Sequence, residues 1–273
     1  MADGTATETG AARIAGAFEA AEQEGRAALM PYLMGGFPDQ ETATVVAGTY
    51  ADEGADLIEL GVPFSDPLAD GPTIHAADTA ALKAGATLET VLETCAAVGE
   101  RTPVALMVYA NMILARGVEE FAAMAARAGA SGVIVPDLPL EEQGTIAESL
   151  DGHGLALIPL VAPTTPPERR ARICAGAKGF VYLVSTVGVT GEREQLPPEL
   201  TELIAAAKDE STVPVAVGFG ISTPEQAATV GELADGIIVG TRLVRAVADA
   251  PRAEAAAAAV GEFLRETRAA LSR

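Results

Sequence analysis

Two carboxylates stand at opposite ends of one short segment, Leu57–Thr73, and their surroundings differ sharply. Glu59 is set into the apolar run Leu57-Ile58-Glu59-Leu60-Gly61, where a charged group is costly unless it has a partner or a task. Asp70 follows on the loop Phe64-Ser65-Asp66-Pro67-Leu68-Ala69-Asp70-Gly71-Pro72. Acids in unlike environments titrate apart, and such a pair can supply both a proton donor and a charge at one site. Leu57, Glu59 and Gly61 share one face of a strand. If that face points inward, desolvation raises the Glu59 pKa and prepares it for proton transfer near neutral pH. The competing reading is a glutamate turned to solvent at a strand end. Asp66 and Asp70 compete with an ordinary role as turn formers.

A second chemistry lies later in the chain. Gly188-Val189-Thr190-Gly191, Gly218-Phe219-Gly220 and Gly240-Thr241 each follow an apolar run. Glycine lets backbone N–H groups come close to an anion, and a helix N-terminus adds its positive end. Three such loops in succession suit a phosphate, whereas one alone would be an ordinary turn. No Walker-type lysine accompanies them, so a small phosphorylated metabolite fits better than a nucleoside triphosphate. The nearest cations, Arg193 and Arg242, fall outside the motifs. Tyr109-Ala110-Asn111 and Pro136-Asp137 close other runs, Tyr182 lies within one, and all are further pocket candidates. Asp137 is also placed to cap a helix starting near Leu140.

These residues need a scaffold that gathers strand ends. Eight short runs recur: Ala28–Met34, Asp56–Gly61, Val104–Tyr109, Gly132–Val135, Ala156–Val161, Phe180–Val184, Val213–Val217 and Gly236–Val239. Most are apolar on both faces, as in a buried parallel sheet. Helical patterns separate them. Thr165-Pro166-Pro167-Glu168 and Thr223-Pro224-Glu225-Gln226 read as helix starts, and Ala84-Gly85 and Ala128-Gly129 as helix ends. The alternation predicts an α/β fold of the (β/α)8 TIM-barrel type, in which the active site sits at the C-terminal ends of the strands. An open doubly wound sheet is the rival, with fewer strands and an early Gly-rich turn. A helix over Arg13–Glu24 is placed to cover the barrel bottom, and an extra helix is expected near Leu88–Gly99. Residues 1–12 read as a flexible extension and 13–273 as one catalytic domain.

Composition narrows the function. The chain has 273 residues, 49% of them hydrophobic, enough for one large core. Its net charge of −20 argues against nucleic acid and anionic membranes. Only three of the 18 basic residues are Lys. The acidity fits either a salt-tolerant host or simply a soluble surface. Cys95 and Cys174 lie far apart, and His75 and His153 are too scattered for a metal site, so none is expected. No apolar run is long enough to span a membrane and the N-terminus lacks a secretory pattern, so a cytoplasmic location is expected.

Glu59-Leu60-Gly61-Val62-Pro63-Phe64-Ser65-Asp66-Pro67-Leu68-Ala69-Asp70-Gly71-Pro72-Thr73 resembles the signature segment of the tryptophan synthase alpha subunit family. Tyr109-Ala110-Asn111, Gly188-Val189-Thr190-Gly191 and Gly218-Phe219-Gly220-Ile221-Ser222 recur in matching order, and the resemblance spans roughly residues 13 to 248. It implies cleavage of indole-3-glycerol phosphate to indole and glyceraldehyde 3-phosphate, with no cofactor in this chain. Glu59 would be the general acid and then the base, Asp70 the partner of the indole N–H, and Tyr182 a neighbour of the reacting group. Tyr109, Thr190, Gly191, Gly218, Phe219, Gly220, Gly240 and Thr241 would bind substrate, with Thr190 on a loop that closes on Asp70. The resemblance also implies an alpha2beta2 heterotetramer. Its beta subunit carries pyridoxal phosphate and receives indole through a tunnel, and Asp66 and Pro139 face that partner. Three departures stand out: Met34 where some relatives have Thr, Thr186 where many have Arg, and Thr241 where Ser is common. The rivals are another phosphate-binding barrel enzyme, such as a phosphoribosyl isomerase, and a non-catalytic barrel that activates a beta subunit.

Overall fold

The structure is a computed structural model, and it describes residues 8–184, 198–218 and 220–272. The strands are β1 (Ala28–Met34), β2 (Ile58–Gly61), β3 (Val104–Met107), β4 (Gly132–Ile134), β5 (Ala156–Ile158), β6 (Leu160–Val161), β7 (Val181–Val184), β8 (Val215–Gly218) and β9 (Gly236–Val239). The α-helices are α1 (Gly10–Gln23), α2 (Gln40–Asp52), α3 (Pro72–Lys83), α4 (Leu88–Val98), α5 (Ala110–Arg116), α6 (Val118–Arg127), α7 (Gly144–Gly152), α8 (Pro167–Ala175), α9 (Pro198–Glu210), α10 (Pro224–Gly231), α11 (Thr241–Ala248) and α12 (Ala253–Ala270).

The strands pair in the order β5-β4-β3-β2-β1-β9-β8-β7-β6, and every ladder is parallel. The two ends of this sheet are pieces of one expected strand, separated by Pro159. Proline has no N–H to give a ladder, so the strand breaks there. β5 serves β4, β6 serves β7, and the ring closes through the break. The expected eight-stranded barrel is therefore present, with its fifth strand in two segments.

Side-chain alternation builds two apolar layers. Leu57, Ala105, Ile134, Ile158, Ala216 and Ile238 fill the barrel interior together with Ile14, Phe18 and Ala21 of α1. The other faces of the strands meet the surrounding helices. α1 closes the bottom as expected, but it starts at Gly10 because Thr9 caps it by accepting the Ala12 N–H. Only Gly fits at residue 10, since a Cβ there would collide with the Ser131 carbonyl. The expected extension over 1–12 is correspondingly shortened, and residues 1–7 lie outside the described residues.

The extra helix is α4, and Gly85 and Gly129 end α3 and α6 with positive φ as anticipated. Thr223 caps α10 by accepting the Gln226 N–H. Thr165 does not cap α8. It accepts the Ala162 N–H within the preceding turn, and the helix starts later, at Pro167. Asp137 caps no helix near Leu140 either. Its carboxylate accepts the Ala110 N–H at 2.8 Å and secures the start of α5, which follows the neighbouring strand β3.

Candidate active site

A cavity of about 500 Å³ opens at the C-terminal ends of the strands. The register of β1, β2 and β3 puts Tyr32, Glu59 and Ala105 side by side. The Leu57–Gly61 face does point inward: Leu57 joins the interior core and Glu59 reaches the cavity floor. Glu59 is only 1% exposed. Tyr182 on β7 donates a long hydrogen bond of 3.5 Å to its Oε2, while Oε1 has no partner among the described residues. Burial, together with the nearby Asp70 charge, pushes the Glu59 carboxyl up to about 8, against the opposing effect of the Tyr182 hydroxyl. Glu59 therefore holds its proton at neutral pH and is poised as a donor.

Asp70 lines the same cavity from the loop after β2. Tyr109, at the end of β3, donates to Asp70 Oδ2 at 2.9 Å, and the Ala69 N–H donates to the Tyr109 hydroxyl at 3.0 Å. Burial raises the Asp70 pKa, while the Tyr109 bond and His75 oppose the rise. Tyr109, expected among the substrate contacts, is thus buried behind Asp70 and aims it.

Gly218, Gly220, Gly240 and Thr241 line the cavity along β8, β9 and the start of α11. Gly240 precedes α11 without a side-chain cap, so the first N–H groups of that helix remain open to an anion. Gly218 has a second reason to be glycine: a Cβ there would lie 2.6 Å from the Tyr182 ring. Arg242 turns away. Its guanidinium sits 5.2 Å from the Phe263 ring centroid on α12. Among the described residues, no Lys or Arg lines the cavity. Thr190, Gly191, Phe219, Thr186 and Arg193 lie outside the described residues.

Two residues of this site escaped the sequence reading. Tyr32, in the apolar run of β1, packs its hydroxyl over Gly61, where a Cβ would sit 2.2 Å away. It also reaches Met34 Sδ at 4.0 Å, so Met34 is a buried neighbour of the site and not part of its wall. Asp78 on α3 is 1% exposed and receives the Phe64 N–H at 3.1 Å. No sequence signal separates it from a solvated helix aspartate. Asp66 and Pro139 are both exposed, and neighbouring Leu68 is 92% exposed. Among the described residues no cluster of side chains suits a metal ion, and no helix is long and apolar enough to cross a membrane.

The chain as a whole is similar to known proteins. A family model described as "Tryptophan synthase alpha chain" matches residues 18–272. The chain belongs to the tryptophan synthase alpha chain family. A tryptophan synthase alpha chain from Synechococcus sp. (strain CC9902) is 49% identical over 260 residues, covering 94% of this chain and 96% of that protein. One from Gloeobacter violaceus is 49% identical over 241 residues, covering 87% of each. Among solved structures, tryptophan synthase of Mycobacterium tuberculosis superposes with a TM-score of 0.88 at 36% identity, covering 96% of this chain and 98% of that one. The tryptophan synthase subunit alpha of Legionella pneumophila str. Paris gives 0.86 at 38% identity, covering 95% and 98%. Membership in the tryptophan synthase alpha chain family sets aside the phosphoribosyl isomerase alternative.

Proposed function

We propose that this chain cleaves indole-3-glycerol phosphate to indole and glyceraldehyde 3-phosphate in tryptophan biosynthesis, the lyase reaction of its family. The single observation that carries the residue assignment is Glu59: a carboxyl buried at the cavity floor, its pKa pushed up to about 8 by that burial, with one oxygen that has no partner among the described residues.

Glu59 donates its proton to C3 of the indole ring. The positive charge that develops at the ring nitrogen is balanced by Asp70, which accepts the indole N–H. The bond from C3 to the glycerol chain then breaks, its electron pair returning to the ring and restoring aromaticity. The adjacent hydroxyl becomes the carbonyl of glyceraldehyde 3-phosphate, and its proton passes to the Glu59 carboxylate. One residue is thus acid and then base, and the cycle closes without a cofactor. Tyr182 holds Glu59 in place through its hydroxyl.

The phosphate rests on backbone N–H groups of the Gly218, Gly220 and Gly240 loops and the start of α11. A cavity of about 500 Å³ accommodates a bicyclic ring and a glycerol phosphate chain. The reaction is placed in the cytoplasm. Released indole passes to a beta subunit carrying pyridoxal phosphate, in an alpha2beta2 assembly, and exposed Asp66, Leu68 and Pro139 suit that contact.

The test is indole formation from indole-3-glycerol phosphate by the purified chain, with and without a beta subunit. Indole release by the chain alone, accelerated by the partner, is expected. A chain that stimulates a beta subunit yet releases no indole under either condition is a non-catalytic activator, and the proposal fails.

A further inference from the structure

α3 carries a buried carboxylate that the reaction does not use. Asp78 Oδ1 accepts the Phe64 N–H at 3.1 Å, and Oδ2 has no partner among the described residues. A helix aspartate buried to 1% exposure, with no ion pair among the described residues, is an expensive arrangement. Burial, and less strongly the charge of Asp70, push its carboxyl up to about 7, against the Phe64 N–H.

The group that Asp78 holds explains the cost. Phe64 is the first residue of the active-site loop after Pro63. Its ring stacks on Tyr109, with centroids 5.0 Å apart and planes 26° from parallel. The Tyr109 hydroxyl in turn receives the Ala69 N–H and donates to Asp70. One chain of contacts therefore runs from α3 through the beginning of the loop, across an aromatic stack, and back to the carboxylate at its end.

We infer that Asp78 is a positioning residue for the cleavage reaction: by anchoring Phe64 it fixes the Phe64–Tyr109 stack that aims Asp70 at the indole nitrogen. What is needed from Asp78 is an acceptor for the Phe64 N–H. Its charge is not needed. The phosphate subsite, built on β8, β9 and α11, does not depend on it. This inference rests on the function proposed above, and wild-type indole release is the control that separates failure of that reading from failure of this one.

The experiment compares Asp78→Leu, Asp78→Ala and Asp78→Asn, each checked for folding by circular dichroism. For each, kcat and KM for indole-3-glycerol phosphate and the affinity for inorganic phosphate are measured. Leu and Ala remove the acceptor, and small misplacements of reacting groups cost up to about a hundredfold. A fall in kcat of roughly ten- to a hundredfold is expected for both, with phosphate affinity held within about threefold. Asparagine restores the acceptor, and its kcat should return most of the way to wild type. Three results would overturn the inference. One is wild-type kcat in a folded Leu or Ala variant. Another is equal loss in all three variants, which would make the charge the requirement. The third is a parallel loss of phosphate affinity, or failure of both Leu and Ala to fold, which would make Asp78 a determinant of the fold as a whole.

Discussion

The two ends of the barrel treat buried charge in opposite ways. At the bottom, Arg26 is 3% exposed, and its guanidinium forms a fork with Asp56 at 2.6 and 2.8 Å and a third bond to Glu24 at 2.9 Å. The Leu29 N–H also donates to Asp56, and Arg268 closes the cluster on Glu24 and the Gly54 carbonyl. At the mouth, Glu59 and Asp70 line the cavity with Tyr32 and Tyr182, Asp78 holds the start of the loop from α3, and no described Lys or Arg lines that cavity. Glu59 and Asp78 each leave one oxygen without a partner among the described residues. A second cavity of about 530 Å³ opens at the bottom, so size does not distinguish the two ends. There Asp151 pairs with Lys178 and Asp235 with Lys208. Satisfied charges hold a structure together, whereas unsatisfied acids keep protons that chemistry can use.

The contrast is broken most severely at Glu59. Glu59→Gln keeps the shape and removes the transferable proton, so kcat for indole release should fall by about 10²–10⁴-fold while the fold survives. Steady-state kinetics checks this, and activity within about threefold of wild type would show that the buried acid is not the donor.

At the other end the expected loss is of stability. Arg26→Met strands Asp56, which should cost about 3 kcal/mol in urea unfolding, at the low end of such losses because Leu29 N–H and Arg268 remain nearby. Its kcat and KM below the melting transition should stay near wild type. A variant equally stable but catalytically impaired would invert the assignment of the two ends.

The same contrast has a pH signature. The Glu59 pKa is raised from 4.5 to about 8 by folding, so the folded chain binds the extra proton between those values. Its contribution is fully present below about 4.5 and is lost as pH rises through about 8. Relative to wild type, Glu59→Gln should therefore gain on the order of a few kcal/mol from pH 5 to pH 8 and level off above. Paired denaturation curves at several pH values measure the difference, and parallel curves would exclude a buried titrating Glu59. The smallest effect is expected for Tyr182→Phe. The Tyr182 hydroxyl favours ionised Glu59, so its removal should shift the alkaline limb of kcat upward, with less than about a tenfold change in rate.

Much of the site was legible in the sequence because its signals are local. Glu59 announces itself by contrast with Leu57, Ile58 and Leu60, and period-2 alternation decides which way it faces. Asp70 and the glycine loops are marked by turn chemistry at strand ends. What escaped depends on contacts between segments distant in sequence. Asp78 reads as an ordinary helix acid because nothing in Ala76-Ala77-Asp78-Thr79 says that Phe64 lies above it. Asp137 was assigned to the next helix along the chain, yet its partner is Ala110, reached only once β3 and β4 lie side by side. Tyr32 looks like core, and its proximity to Gly61 follows from strand register. The break at Pro159 was visible as a residue, but its role in closing the ring appears only from the pairing of both flanking pieces.

Glu59 carries a proton at neutral pH because burial desolvates it and no Lys or Arg among the described residues lines the barrel mouth. Carbon-13 NMR of chain labelled at the glutamate carboxyl carbon tests this directly, with Glu59→Gln identifying the resonance by its disappearance. A titration midpoint at about 8 is expected. A midpoint near the ordinary value of 4.5 would contradict it.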